Sequence, residues 1–167
     1  MEDIKSYCID KKRKIHFVGY SMGGVLARYI VENNKFKNLG KVVVIASPSQ
    51  GSEVASVLTE TTLYKSIFGP AICDLKKDSE FLSKMKNNVN YELGVLAGNR
   101  SMNLITSFFV LSEENDGLIS VESTKVSGMK DHKTLEATHN RIYKSHATSD
   151  YVVKFIQCGE FKSCSGA

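Results

Sequence analysis

Gly19-Tyr20-Ser21-Met22-Gly23 sets a serine between two glycines. The residues just before it, Ile15-His16-Phe17-Val18, form a short apolar run that reads as a buried strand ending at Gly19. After it, Val25, Leu26, Tyr29 and Ile30 repeat at helical spacing, which predicts a helix from near Met22 to about Asn33. A strand that stops at Gly19 and a helix that opens at Met22 leave Ser21 to reverse the chain. So tight a turn holds its central residue in a strained backbone conformation and has no room for side chains at its shoulders. Ser21 Oγ is thereby pushed out at the C-terminal end of the strand. It also sits at a helix N-terminus, whose free N–H groups favour a developing oxyanion, with the Met22 N–H as one donor.

A serine hydroxyl is a weak nucleophile. It needs a base, and the base needs a carboxylate to orient it. At strand-to-helix turns of this kind the order along the chain is Ser, then Asp or Glu, then His. Asp116 fits the acid: Asn115-Asp116-Gly117 lies just past the apolar run Ser107-Phe108-Phe109-Val110-Leu111, read as a third strand. Glu113 and Glu114 are rivals in the same loop. Three histidines follow, His132, His139 and His146. His139 lies just beyond a fourth short strand expected over Lys133 to Ala137, where a loop returns it over Ser21. His132 precedes that strand and would emerge at the other end of the sheet, and His146 is on the approach to the last helix. His16, inside the first strand, reads as structural.

The remaining elements must position these groups. Lys41-Val42-Val43-Val44-Ile45-Ala46 is a second continuous apolar strand, closed by Ser47-Pro48. Continuous apolar strands alternating with helices signal a parallel sheet covered on both faces, an α/β fold. Between Thr59 and Met102 the pattern is irregular, with a polar helix around Asp78 to Lys86. Asp150 to Gln157 closes the chain as an amphipathic helix. The 167 residues suit one domain, and a net charge of +4, from 22 Lys and Arg against 18 Asp and Glu, is mild. Its densest basic run, Lys11-Lys12-Arg13-Lys14, reads as a solvated turn, and no basic stripe interleaved with aromatics suggests nucleic acid. No apolar run approaches the roughly 20 residues of a membrane helix. The four cysteines, Cys8, Cys73, Cys158 and Cys164, match no zinc or redox spacing; Cys158 and Cys164 would pair only in an oxidising compartment. The N-terminus lacks an apolar signal region, so the expectation is a cytoplasmic protein with reduced thiols.

Ile15-His16-Phe17-Val18-Gly19-Tyr20-Ser21-Met22-Gly23-Gly24, with Ala27-Arg28-Tyr29 after it, resembles the nucleophile turn of α/β-hydrolase lipases and esterases, in particular bacterial lipase-like esterases related to GPI inositol-deacylases. Ala46-Ser47-Pro48-Ser49-Gln50-Gly51-Ser52-Glu53 resembles their Thr-Pro and Gly-Ser signature. Ala97-Gly98-Asn99-Arg100-Ser101 resembles the segment leading into their acid-bearing strand. Asn115-Asp116-Gly117-Leu118-Ile119-Ser120-Val121 is similar to the loop of their catalytic aspartate, and Thr138-His139 to the position of their catalytic histidine. The resemblance covers essentially the whole chain and implies a Ser21-Asp116-His139 triad acting on small-molecule or lipid carboxylic esters through an acyl-enzyme, without metal or organic cofactor.

The resemblance also implies a departure. The usual first half of that fold is absent, including the loop, often bearing a His-Gly pair, that supplies the second oxyanion donor. Loss of one such donor costs about 10²–10³ in rate. One edge of the first strand would be bare and open to pairing with another chain. The expected architecture is therefore the C-terminal half of an α/β-hydrolase domain over residues 1–167, a half-sheet of about four parallel strands with helices on both faces and a cap or lid over about 52–102. Two alternatives stand beside ester hydrolysis. One is an inert or partner-dependent fragment, completed by a missing N-terminal half or self-associating through the bare edge. The other is acyl transfer to an alcohol by the same three residues.

Overall fold

The computed structural model of the chain describes residues 13–52, 70–77, 79–86, 88–101 and 113–163. Among these, four strands form one sheet: β1 (Ile15–Tyr20), β2 (Leu39–Ile45), β3 (Leu93–Gly98) and β4 (Asp131–Leu135). They lie in the order β1-β2-β3-β4, and every neighbouring pair is parallel. The helices are α1 (Met22–Asn33), α2 (Glu80–Ser83), α3 (Val121–Thr124), α4 (His139–Ile142) and α5 (His146–Cys158), with a 3₁₀ turn at Pro70–Leu75.

β2 shows why its sequence has no polar alternation. Successive side chains of a strand point to opposite faces. Val42 and Val44 pack with Val31 of α1, Leu93 and Val95, whereas Val43 and Ile45 pack with Leu96, Ile142 and Phe155 on the α5 side. Both faces of the sheet are therefore core, and each needs apolar side chains. The expected half-sheet with helices on both faces is what the chain forms.

Local chemistry sets the helix ends. At the end of α1, Asn33 and Asn34 donate through their amides to the carbonyls of Tyr29 and Ile30, at 2.9 and 2.8 Å. Asn34 is itself extended, and the helix stops there. α5 ends at Gly159, which takes the left-handed conformation (φ 81°) and donates its N–H to Phe155 O at 2.8 Å. α2 opens on Ser79, whose Oγ accepts the Leu82 N–H at 3.2 Å.

α1 buries a charge as well as apolar groups. Arg28 is 1% exposed. Its Nε and Nη2 donate to Glu32 Oε1 at 3.2 and 3.1 Å, and Nη2 also donates to Lys86 O at 3.0 Å. Glu32 Oε2 accepts the Lys86 N–H at 2.8 Å and Oε1 accepts the Tyr91 hydroxyl at 2.8 Å. One ion pair thus satisfies both backbone groups of Lys86 and clamps the stretch between α2 and β3 onto α1.

The third strand differs from the expectation. The run Ser107–Leu111 lies outside the described residues, and the strand between β2 and β4 is Leu93–Gly98, within the stretch assigned to a cap. Gly94 and Gly98 interrupt its apolar run and hide it from a pattern reading. Gly94 is required by packing, since a Cβ there would meet the Phe155 ring at 2.8 Å. The polar helix expected over 78–86 is only the single turn of α2. β4 begins two residues earlier than expected, so His132 lies inside it, opposite Val95, rather than before it. His16 does serve structure: its Nδ1 accepts the Lys41 N–H at 3.0 Å, where the β1–β2 register shifts. Cys73 is a free thiol, but Cys158 is disulfide-bonded, against the expectation of reduced thiols throughout. No helix among the described residues is long and apolar enough to cross a membrane.

Arg28→Met leaves the Glu32 carboxylate buried without its counter-ion and is expected to destabilise the fold by about 3–5 kcal/mol in urea unfolding; a loss under 1 kcal/mol would contradict the clamp. His132 is held below its ordinary 6.5 by burial and by the nearby Lys125 charge. The unfolded chain therefore takes up this proton first. The His132 contribution to stability is full above about pH 6.5 and is lost as pH falls from there through the lower folded value. Between pH 7 and 5 the wild type should lose more stability than His132→Gln, and parallel losses would refute the assignment.

Candidate functional site

Ser21 is the turn between β1 and α1. Its φ is 52° and ψ −126°, a positive φ at a residue with a Cβ. Such conformations cost on the order of 1–3 kcal/mol and persist only where the surroundings hold them. Here β2 and the loop after it do so. Ser21 N–H donates to Ile45 O at 2.8 Å, and Ser47 Oγ donates to Ser21 O at 2.8 Å. Ala46 is the other non-glycine residue with positive φ among those described, at 45°, and it turns the chain that delivers Ser47. Two strained residues at adjacent strand ends thus support one another.

The glycines around Ser21 do not contribute equally. A Cβ on Gly19 would lie 2.4 Å from Gly23 O and 2.6 Å from Gly24 Cα, and one on Gly24 would lie 2.6 Å from Ser47 Oγ. At Gly23 a Cβ would meet nothing within 4 Å. Steric demand falls on Gly19 and Gly24, not on the second glycine of the G-x-S-x-G pattern.

Asp116 is 2% exposed and fully engaged. Oδ1 accepts the N–H groups of Leu118 and Ile119 at 3.0 and 2.8 Å. Asn115 Oδ1 accepts the Gly117 N–H at 2.9 Å, and Gly117 takes φ 100° to complete the turn. Gly98, at the end of β3, makes room for this loop: a Cβ there would meet Asp116 Cβ at 2.9 Å and Ala137 O at 2.5 Å. The loop bearing His139 is stitched to the same place, because the His139 N–H donates to Asp116 O at 2.9 Å.

These supports bring three side chains into line. His139 Nδ1 is 2.8 Å from Asp116 Oδ2, and His139 Nε2 is 3.0 Å from Ser21 Oγ. An ionised carboxylate only accepts, so Nδ1 donates to Asp116 and Nε2 is left to accept the Ser21 hydroxyl. His139 is 7% exposed, so its imidazole is largely out of solvent, while Ser21 is partly exposed. Met22, with its side chain exposed, is the first residue of α1, so its N–H belongs to the helix start beside Ser21 Oγ.

The rival residues lie elsewhere. His132 Nε2 is 3.3 Å from Thr124 Oγ1. His146 is exposed at the start of α5. Glu113 is exposed, and Glu114 Oε1 accepts from Asn99 Nδ2 at 2.6 Å. One participant had no signal in the sequence. The Tyr20 hydroxyl donates to His139 O at 2.9 Å, and its ring packs against those of His139 and Tyr143, with centroids 5.1 and 4.6 Å apart. Burial and the Asp116 charge push the Tyr20 hydroxyl up to about 12, so it stays a donor. Only the fold brings the variable position before the serine against the histidine loop. Among the described residues no group of three or more His, Cys, Asp or Glu side chains could hold a metal ion.

The comparisons agree with this architecture. The chain is similar to the mature lipase BlEst2 of Bacillus licheniformis, at 19% identity and a TM-score of 0.70, covering 95% of this chain and 69% of that one. It is similar to the metagenomic carboxyl esterase MGS0156, at 18% identity and a TM-score of 0.68, covering 89% of this chain and 53% of that one. It is also similar to the phospholipase PlaB of Legionella pneumophila, at 14% identity and a TM-score of 0.68, covering 93% of this chain and 46% of that one. The chain thus spans from about half to about two thirds of these proteins, and at such identities the likeness is one of fold, that of an α/β-hydrolase. A search of curated proteins found no match. The family model for palmitoyl protein thioesterase matches residues 1–151. With that match over most of its length, the chain belongs to the palmitoyl protein thioesterase family.

Proposed function

We propose that the protein hydrolyses acyl esters, carboxylic esters of small molecules or lipids, with Ser21 as nucleophile, His139 as base and Asp116 as its orienting carboxylate. The observation that carries this reading is the unbroken hydrogen-bonded line from the buried Asp116 through His139 to Ser21 Oγ, at a backbone turn held in strain.

In this scheme Ser21 Oγ attacks the acyl carbonyl carbon while its proton passes to His139 Nε2. The carbonyl oxygen becomes an oxyanion, which the Met22 N–H and the start of α1 stabilise. His139 returns the proton to the departing alkoxide, leaving an acyl group on Ser21. Water then attacks that acyl group, its proton passing to His139 and on to Ser21 Oγ as the acid leaves. Throughout, Asp116 holds Nδ1 protonated, and Tyr20 fixes the backbone carbonyl of His139. An alcohol in place of water would make the same protein an acyltransferase, and product analysis separates the two.

A second reading is favoured by the first strand. β1 is an edge of the sheet among the described residues, and Val18, Met22 and Leu26 around it are about half exposed. An apolar edge of this kind suits pairing with another chain, so activity that appears only with a partner supplying further strands is the alternative to activity alone. The cytoplasmic location expected from the sequence would keep thiols reduced, and the disulfide at Cys158 points instead to an oxidising compartment.

A fluorophosphonate probe is expected to label the wild type and not Ser21→Ala. Labelling of both, or p-nitrophenyl butyrate turnover retained by Ser21→Ala, would sink the assignment of the nucleophile. A folded but unlabelled wild type would favour the partner-dependent reading. Asp116→Asn should keep the fold and lower kcat by about 10⁴-fold, because the amide presents the wrong hydrogen-bonding group to Nδ1; a drop under tenfold would remove Asp116 from the scheme.

A further inference from the structure

A cavity of about 370 Å³ borders α1 at Arg28 and is lined by no residue of the Ser21 site. Among the described residues four basic side chains line it, Arg28, Lys77, Lys86 and Lys125, and no acidic one does. Glu32 and Glu122 offset Arg28 and Lys125 from outside the lining. Lys86 makes no ion pair among the described residues, and Arg28 uses Nε and Nη2 in the buried clamp, so Nη1 takes no part in those bonds. Ser49 also borders the cavity, and its Oγ is covered from solvent without a hydrogen-bond partner. A hydroxyl that moves between staggered rotamers can turn to meet a ligand oxygen there. The lining also includes the apolar side chains of Leu82, Met85 and Val126.

We propose that this cavity binds a small organic phosphate, its phosphoryl oxygens against Lys86, Lys125 and Arg28 and its apolar body against Leu82, Met85 and Val126. The volume suits such a ligand, since small-molecule pockets run from about 300 to 1,000 Å³. The guanidinium and ammonium groups are matched to phosphate oxygens in charge and donor geometry. Arg28 stands two turns along α1 from Ser21, about 10 Å at the helical rise, so this site is separate from the nucleophile. It does not rest on the assignment of Ser21.

The test is calorimetric titration of the full chain with phenyl phosphate, at constant ionic strength in sodium chloride. Saturable binding at one site is expected, several-fold tighter than to inorganic phosphate, unchanged in Ser21→Ala and at least tenfold weaker in the double variant Lys86→Gln/Lys125→Gln. Lys86 is exposed and the Lys125 side chain is 40% exposed, so the double variant should keep the melting temperature and ester hydrolysis of the wild type. Phosphatidylglycerol vesicles that displace phenyl phosphate would identify a lipid headgroup as the source of the phosphate; vesicles that leave it bound would identify a free small molecule. No saturable uptake of phenyl phosphate, or equal affinity in the wild type and the double variant, would overturn the proposal.

Discussion

Ser21 stands at a backbone conformation that a residue with a side chain rarely adopts, and the rest of the site is built on keeping it there. The turn is held from the neighbouring strand: Ile45 O accepts its N–H and Ser47 Oγ donates to its carbonyl. Both partners come from the end of β2, so the parallel pairing of β1 with β2 is what converts local strain into fixed geometry. If that pairing slipped, neither hydrogen bond would form, and the serine would relax out of line with His139. Close approach at Gly19 and Gly24 belongs to the same constraint, because the helix must start directly against the strand it has just left.

The sheet carries this constraint across to the other two groups. β3 and β4 lie on the far side of β2, and the Asp116 and His139 loops meet at the C-terminal end of β3, at the same end of the sheet as Ser21. Ligand and reaction sites of open α/β sheets lie at this end for a physical reason: every strand of a parallel sheet finishes there, so loops distant in sequence meet. The buried Arg28–Glu32 pair acts further down the structure. It fastens the chain before β3 to α1, and so helps set where β3 runs relative to the strand that bears Ser21.

Much of this was legible in the residues. The apolar runs at Ile15 and Lys41, the helical spacing after Ser21 and the amphipathic end of the chain became β1, β2, α1 and α5 because each is a local pattern with one period. β3 was not legible. Its glycines are present because Phe155 and the Asp116 loop press against it, and those contacts come from residues distant in sequence. The boundary of β4 was misplaced for a similar reason, since pairing with β3 extends the strand back through Asp131 and His132. Tyr20 and Ser47 showed nothing of their part in the site, as each acts through a hydrogen bond to a backbone carbonyl that only the fold brings near.

The sequence by itself determined the turn at Ser21, the α/β class and the short set of acids and histidines that could complete a hydrolytic site, because residue type, spacing and chain order carry that chemistry. The tertiary structure alone decided which members of the set meet. Asp116 and His139, which chain order and loop position favoured, are brought to Ser21, while His132 is taken up inside a strand and Glu114 by Asn99. The separation comes from strand register and from the burial that follows it, which are properties of the assembled sheet.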